Sequence, residues 1–221
     1  MAWNHDAIIN TPKVALCLPH TGEVTTAWAH RTWGPLVYSR VTFCMKKPLM
    51  ANGVPVAVAR ESLAEAAIQD GADYIFFIDS DIIAESPDDI NEVLSMLIED
   101  NLPIVSGMYR AKKYNMVPWA MWKHNEKTGD FKPIVSWNKP LINADVAGMG
   151  CMLIKSEVFK NTPKPWFRWD ALMVPSEDFF FLLKAKKAGY NTVIDTRIRC
   201  SHINTIKMMP SDIPSFENID I

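Results

Sequence analysis

The chain has 221 residues, with 23 Lys plus Arg against 25 Asp plus Glu and 48% apolar residues. That length suits one compact α/β unit with a proper core, and a net charge of −2 supplies no field that would draw it to nucleic acid or an acidic membrane. The opening MAWNHDAIINTPK has neither a basic n-region nor a long apolar h-region, and no apolar run approaches the roughly 20 residues a bilayer demands. A soluble, cytoplasmic protein is expected, with peripheral membrane attachment left open. The basic runs Arg110 to Lys113 and Lys184 to Lys187 read as solvated surface or as local phosphate contacts. Cys17, Cys44, Cys151 and Cys200 are scattered without CxxC spacing and read as buried free thiols.

In chain order, Lys13 to Leu18 is an apolar strand running into the loop Pro19-His20-Thr21-Gly22. A helical stretch from about Val24 to Trp33 follows, then a strand, LVYSRVTF, from Leu36 to Phe43. Pro55 fits a first helical position, and that helix runs through Asp70 to a stop at Gly71. Tyr74 to Ile78 is a buried strand that ends at Asp79-Ser80-Asp81. The next helix reads as capped by Ser86, with Pro87 first and Asp88 and Asp89 at the positive end of its dipole. Its stripe of Ile90, Val93, Leu94, Leu97 and Ile98 has helical spacing. Pro103 to Ser106 opens another strand.

The second half changes character. Met116 to Trp122 and Phe131 to Trp137 read as a hairpin about Thr128-Gly129, and Val146 to Ile154 as one strand containing Gly148 and Gly150. A helix from Glu177 to Ala188 ends at Gly189 and leads to a strand, Thr192 to Asp195. Strand and helix alternate over the first half, which predicts a mostly parallel sheet covered on both faces. No repeat or linker divides the chain.

Asp79 and Asp81 lie two apart after an apolar strand, so both carboxylates point the same way at its carboxyl end. In open α/β sheets ligands bind at that edge, and paired hard oxygens there suit Mg2+ or Mn2+ bridging to phosphates. Asp-Ser-Asp is also an ordinary solvated turn. Glu177 and Asp178, with Ser176 as cap, fall in a first helical turn whose dipole stabilises their ionised forms, with or without catalysis. Gly148 and Gly150 either let backbone approach a ligand closely or mark a bulge. Trp119, Trp122, Trp137, Trp166 and Trp169 read mostly as packing residues, with Trp166 and Trp169 the candidates for an acceptor surface.

The stretch Ala59 to Ile82 (ARESLAEAAIQDGADYIFFIDSDI) resembles the donor-binding half of GT-A glycosyltransferases, especially family 2-like enzymes. The resemblance continues in order through Ala147 to Phe159 (AGMGCMLIKSEVF), Pro175 to Asp195 and Cys200 to Ile203 (CSHI), covering nearly all of Lys13 to His202. It implies a Rossmann-like GT-A fold: a mostly parallel central sheet flanked by helices, with a small antiparallel portion in the second half. The organisation implied is one domain over 1–221, with a donor half at about 13–110, an acceptor half at about 111–205 and a tail at 206–221.

Residue by residue, the resemblance implies Asp81 as metal ligand and Asp79 on the ribose or the metal's water shell, with Ser80 between them and His202 as a late metal ligand. Imidazole favours Mn2+ over Mg2+. Pro19, His20 and Thr21 would contact base and ribose, and Gly148 and Gly150 the donor sugar. Arg60 is similar to an arginine near the base or diphosphate, against a helix-surface ion pair with a neighbouring Glu. Glu177-Asp178 resembles the ED motif, whose aspartate deprotonates the acceptor hydroxyl in inverting enzymes. No acidic residue clearly follows the second strand, where many members bind uracil, which leaves the donor base open between UDP- and GDP-sugars.

The expected activity is a metal-dependent transferase of the hexosyltransferase type, acting on a glycan, protein or lipid acceptor. Two rivals stand beside it. A nucleotidyltransferase shares paired carboxylates but would want a glycine-rich phosphate loop, for which Pro19 to Gly22 is sparse. A non-catalytic nucleotide-sugar or carbohydrate-binding module would not need Asp79, Asp81, Asp178 and His202 together. The short sequence beyond His202 suits a small or viral-type enzyme with a soluble acceptor.

Overall fold

A computed structural model of the chain describes residues 11–20, 22–36, 44–45, 49–87, 89–111, 119–169 and 175–203. β1 is Lys13–His20, and a helical run, α1, passes through Thr26–Trp28, a π-wound turn at Ala29–Trp33, and Gly34–Leu36. β2 (Cys44–Met45), β3 (Leu49–Asn52), α2 (Val56–Gln69), β4 (Tyr74–Ile78), β5 (Ile82–Ser86), α3 (Ile90–Glu99) and β6 (Ile104–Met108) complete the first half. The second half holds β7 (Met121–His124), β8 (Phe131–Pro133), β9 (Leu141–Ala144), β10 (Val146–Ala147), β11 (Cys151–Lys155), α4 (Ser156–Asn161), α5 (Glu177–Lys187) and β12 (Thr192–His202).

Among the described residues nine strands form one sheet, with the path β2-β1-β4-β11-β6-β12-β5, β3 beside β1 and β9 beside β12. β1, β2, β3, β4, β6 and β12 run one way, and β5, β9 and β11 run against them. A second sheet, β10-β7-β8, is antiparallel. This is the expected architecture: a mostly parallel α/β sheet with a small antiparallel portion.

The central strands β1, β4, β6 and β11 are almost wholly buried because both faces of the sheet are covered there. Along β4, Ile75 and Phe77 enter a core with Leu63, Ala64 and Ala67 of α2, Phe159 of α4 and Phe181 and Leu182 of α5. The alternate residues, Phe76 and Ile78, face Trp28 of α1 and Ile90, Val93, Leu94 and Leu97 of α3. Each such fully buried side chain contributes about 1.5–3 kcal/mol of transfer free energy. Cys17, Cys151 and Cys200 are buried free thiols, and burial raises the pKa of the Cys17 thiol.

Several element boundaries differ from the sequence reading. Pro55 precedes α2 as its cap residue in extended conformation, and Gly71, at φ +72°, closes that helix as expected. Ser86 does not cap α3. It is the last residue of β5, opposite Arg199, and Asp89 caps instead, its carboxylate accepting from Asn91 N–H at 2.8 Å. Of the expected hairpin, residues 116–118 lie outside the described residues; β7 runs on to His124, and β8 starts at Phe131 as expected but ends at Pro133, with Gly129 at φ +78° in the turn.

Val146 to Ile154 is two strands, because β10 joins the small sheet through β7 while β11 joins the large one between β4 and β6. β12 continues seven residues beyond Asp195 to His202, through an irregularity between Asp195 and Arg199. There Arg197 folds back onto Asp195 and reaches Asp100 at 2.8 Å. Of the expected strand from Leu36 to Phe43, Leu36 ends the helical run and the rest lies outside the described residues.

Candidate active site

β4 ends at Ile78, and the chain turns through Asp79, Ser80 and Asp81 into β5. The turn is held by its backbone: Ile82 N–H donates to the Asp79 carbonyl at 3.1 Å, which also accepts from Trp28 Nε1 at 2.9 Å. Ile203 N–H donates to the Asp81 carbonyl at 2.7 Å, bringing the end of β12 against the same turn. A pocket of about 250 Å³ opens there, lined by Pro19, His20, Ala51, Val54, Val56, Ala59, Asp79, Ser80 and Asp81. The expected loop residues Pro19 and His20 thus share one cavity with the acidic turn. Thr21 lies outside the described residues.

His202 Nε2 stands 3.6 Å from Asp81 Oδ1, and its Nδ1 lies 2.7 Å from the Arg110 carbonyl oxygen. A carbonyl only accepts, so that contact puts a proton on Nδ1 and leaves Nε2 as the ring nitrogen facing Asp81. A backbone acceptor behind the ring is the usual support of a metal-ligating histidine. Asp79 also lines the pocket but is turned toward Arg60, from whose Nη2 both its carboxylate oxygens accept at 3.2 Å. Among the described residues no group of three or more His, Cys, Asp or Glu side chains is arranged to hold a metal ion. Asp81 and His202 bring two side chains of metal-ligating type together, fewer than such a group requires.

The ED motif arrives at the same place on α5, capped as expected by Ser176, which accepts from Phe179 N–H at 3.4 Å. Glu177 Oε1 accepts from Arg60 Nε at 3.3 Å, and Asp178 Oδ1 lies 3.5 Å from that nitrogen. Asp178 Oδ2 accepts from Met149 N–H at 3.3 Å. Its side chain keeps 15% exposure, whereas Glu177 is buried against Arg60.

Arg60 therefore departs from both sequence readings. It is 2% exposed, neither a surface ion pair nor open to the pocket, and it lies between the two acidic motifs with its guanidinium carbon 5.6 Å from the Phe77 ring centre. Gly148 and Gly150 are held by backbone bonds of their own. Gly148 N–H donates to the Ala120 carbonyl, Gly150 N–H to Tyr109 Oη at 2.8 Å, and the Gly150 carbonyl accepts from Asp79 N–H at 3.0 Å. These backbone groups are already paired within the protein. The glycines are required by their neighbours: a Cβ on residue 148 would lie 2.1 Å from Tyr109 Oη, and one on residue 150 would lie 3.1 Å from Asp79 Oδ2.

Tyr109, which carried no signal in the sequence, is thus wedged between the glycine segment and His202, whose ring it meets edge-on at 5.5 Å. Trp166 is a core residue, its indole N–H donating to the Phe159 and Thr162 carbonyls. That bonding withdraws it from an acceptor surface. Trp169 is 60% exposed and free of that objection.

The electrostatics follow from one buried cation among three carboxylates. Burial raises the Asp178 carboxyl well above the ordinary range; Arg60 opposes the shift, and Glu177 and Asp79 add to it. Asp79 is raised by burial too, again opposed by Arg60 and reinforced by Asp81 and Glu177. For Arg60, burial works against the charge, but Asp79, Asp178 and Glu177 outweigh it and raise the pKa, so the guanidinium stays protonated. Burial and then Asp79 and Asp178 raise the Tyr109 phenol well above its ordinary value, keeping it neutral.

No protein-family model and no curated protein matches the chain. Among solved structures it is similar to A197 from STIV, at 18% identity and TM-score 0.62, with 91% of each chain covered. It is also similar to GalNAc-T7 with UDP, GalNAc and Mn2+, at 11% identity and TM-score 0.58, over 88% of this chain and 44% of that one. The fold is GT-A-like. UDP-glucose pyrophosphorylase complexed with UDP-glucose, at 6% identity and TM-score 0.53, is similar over 86% of this chain and 92% of that one. The GT-A-like fold is thus one found in transferase-type, nucleotide-sugar-related enzymes, and at these identities the likeness concerns the fold alone. Among the described residues no helix is long and apolar enough to cross a membrane.

Proposed function

We propose that the protein is a metal-dependent glycosyltransferase that moves a sugar from a nucleoside-diphosphate sugar to an acceptor hydroxyl, with inversion. The observation that carries this reading is the convergence of Asp79-Ser80-Asp81, His202 and Glu177-Asp178, drawn from β4, β12 and α5, beside a pocket lined by Pro19 and His20. The nucleotide occupies that pocket, its base and ribose against Pro19 and His20 and its diphosphate toward Asp81. Asp81 and His202 would hold a Mn2+ or Mg2+ ion, which would supply positive charge to the departing diphosphate. The imidazole ligand favours manganese.

Asp178 is the general base. Its side chain keeps 15% exposure, is aimed by Met149 N–H, and has its affinity for protons raised by burial. It accepts the acceptor hydroxyl proton as the oxygen attacks the anomeric carbon. Glu177, held by Arg60, supports this arrangement from behind. Trp169 offers an exposed aromatic face suited to sugar C–H surfaces.

The purified protein, screened by thermal shift against UDP-, GDP- and dTDP-sugars with and without Mn2+, should be stabilised by one donor class only when Mn2+ is present. Hydrolysis or transfer should then release a nucleoside diphosphate and leave an inverted first-formed anomer in the NMR spectrum. Release of pyrophosphate instead would assign nucleotidyl transfer, and glycan binding indifferent to chelator would assign a binding module.

A further inference from the structure

We propose that Arg60 is a positioning residue that joins the donor and acceptor halves of the reaction, holding Asp79 in place and keeping the Asp178 carboxylate aimed, without touching the donor. The role rests on the glycosyltransferase reading and extends it to a residue that the resemblance alone would put on the nucleotide.

The bonding of the guanidinium carries the argument. Its donors form a rigid fork, and each arm has a partner inside the protein. Nε meets Glu177 Oε1 at 3.3 Å and Asp178 Oδ1 at 3.5 Å, Nη1 donates to the Met149 carbonyl at 3.4 Å, and Nη2 donates to both Asp79 oxygens at 3.2 Å. Phe77 stands under the plane at 5.6 Å. A side chain 2% exposed and engaged on these sides has no arm to offer a nucleotide in the neighbouring pocket. It does have the means to fix three things at once: the acidic turn after β4, the start of α5, and the Met149 peptide that aims Asp178.

Charge gives the arrangement its consequence. Asp178 is faced by Arg60 from α2, Asp79 from the end of β4, Tyr109 from beyond β6, and Glu177 on its own helix. Among these Arg60 is the cation, set against three carboxylates. Without it, Asp178 would stand with two like charges in a desolvated place and would hold its proton to higher pH. Arg60→Lys would keep the charge but not the fork.

The test follows the Asp178 carboxyl carbon by 13C NMR against pH, its signal assigned by its loss in Asp178→Asn, in wild type, Arg60→Gln, Arg60→Lys and Glu177→Gln. The titration midpoint is expected to rise in Arg60→Gln, to stay near wild type in Arg60→Lys, and to fall in Glu177→Gln. Affinity for UDP with Mn2+, read by calorimetry, should change less than about threefold in Arg60→Lys. In Arg60→Gln kcat should fall at least about tenfold and the acidic limb of the rate profile should move to higher pH.

An unmoved midpoint across these variants would overturn the role, as would a loss of UDP affinity matching the loss of rate. Should Arg60→Gln not fold, Arg60→Met takes its place in the titration, with the same rise expected and an unmoved midpoint overturning the role. The titration needs no turnover, so a wild-type protein that transfers no sugar would overturn the glycosyltransferase reading while the midpoints still judged Arg60.

Discussion

His202 Nε2, at the end of β12, faces Asp81 Oδ1, in the turn between β4 and β5, at 3.6 Å, while the back of the ring is fixed to the Arg110 carbonyl. That pair defines where a cation would sit. Asp81→Ala and His202→Ala should each lower Mn2+-dependent sugar transfer by at least about 100-fold. Initial rates across a Mn2+ titration provide the check, and a wild-type rate in either variant at saturating Mn2+ would remove that residue from the site.

Asp178→Asn should separate activity from stability. Because burial raises the Asp178 pKa, the folded state binds its proton more tightly than the unfolded state does. Its contribution to stability is therefore present below the ordinary carboxylate pKa and lost as pH rises through the folded value. A neutral amide does not suffer that loss, so Asp178→Asn should raise the melting temperature at neutral pH while lowering kcat by about 10²–10⁴-fold. Thermal melts at neutral pH beside single-turnover rates would show both, and an equally active variant would dismiss Asp178 as the base.

Gly148→Ala should destabilise the fold by about 1–3 kcal/mol, because the new methyl group would meet Tyr109 Oη at 2.1 Å. Urea denaturation measures this. Gly148→Ala in a Tyr109→Phe background should cost less than the sum of the two single changes, and strict additivity would mean that the two residues do not share the space.

The two tryptophans should part company. Trp166→Ala removes a buried indole with both its carbonyl partners inside the protein and should cost about 3–5 kcal/mol in urea denaturation. Trp169→Ala, at an exposed position, should change stability by under about 0.5 kcal/mol. If Trp169 meets the acceptor, its loss should raise acceptor KM without altering affinity for the nucleotide.

Much of the architecture was legible because it is written in local periodicity. The buried run at β4, the stripe on α3 and the Ser176 cap with two acids behind it each follow from a short window of chain. What local patterns missed was set by distant pairing. Ser86 had the composition of a cap, yet Arg199, on a strand far along the chain, drew it into a ladder. Arg60 sits on a helix beside Glu61 and Glu65, so a surface pair was the natural reading. Its partner Glu177 is 117 residues away, a relation that no spacing rule encodes. Tyr109 follows a strand without any motif, and only the missing Cβ atoms at 148 and 150 reveal what its ring occupies.

β11 runs against both its neighbours, so it delivers its beginning, not its end, to the edge where β4 finishes. The short link from β10 must leave the small sheet, present Met149 to Asp178 and Arg60, and enter the large sheet with Met152 and Ile154 on the side of α2 and Leu153 on the side of α3. A strand alternates every residue. One amino acid added or removed between Ala147 and Cys151 would exchange those two sides along the whole of β11, so the length of this connector is as tightly determined as any side chain in the cleft.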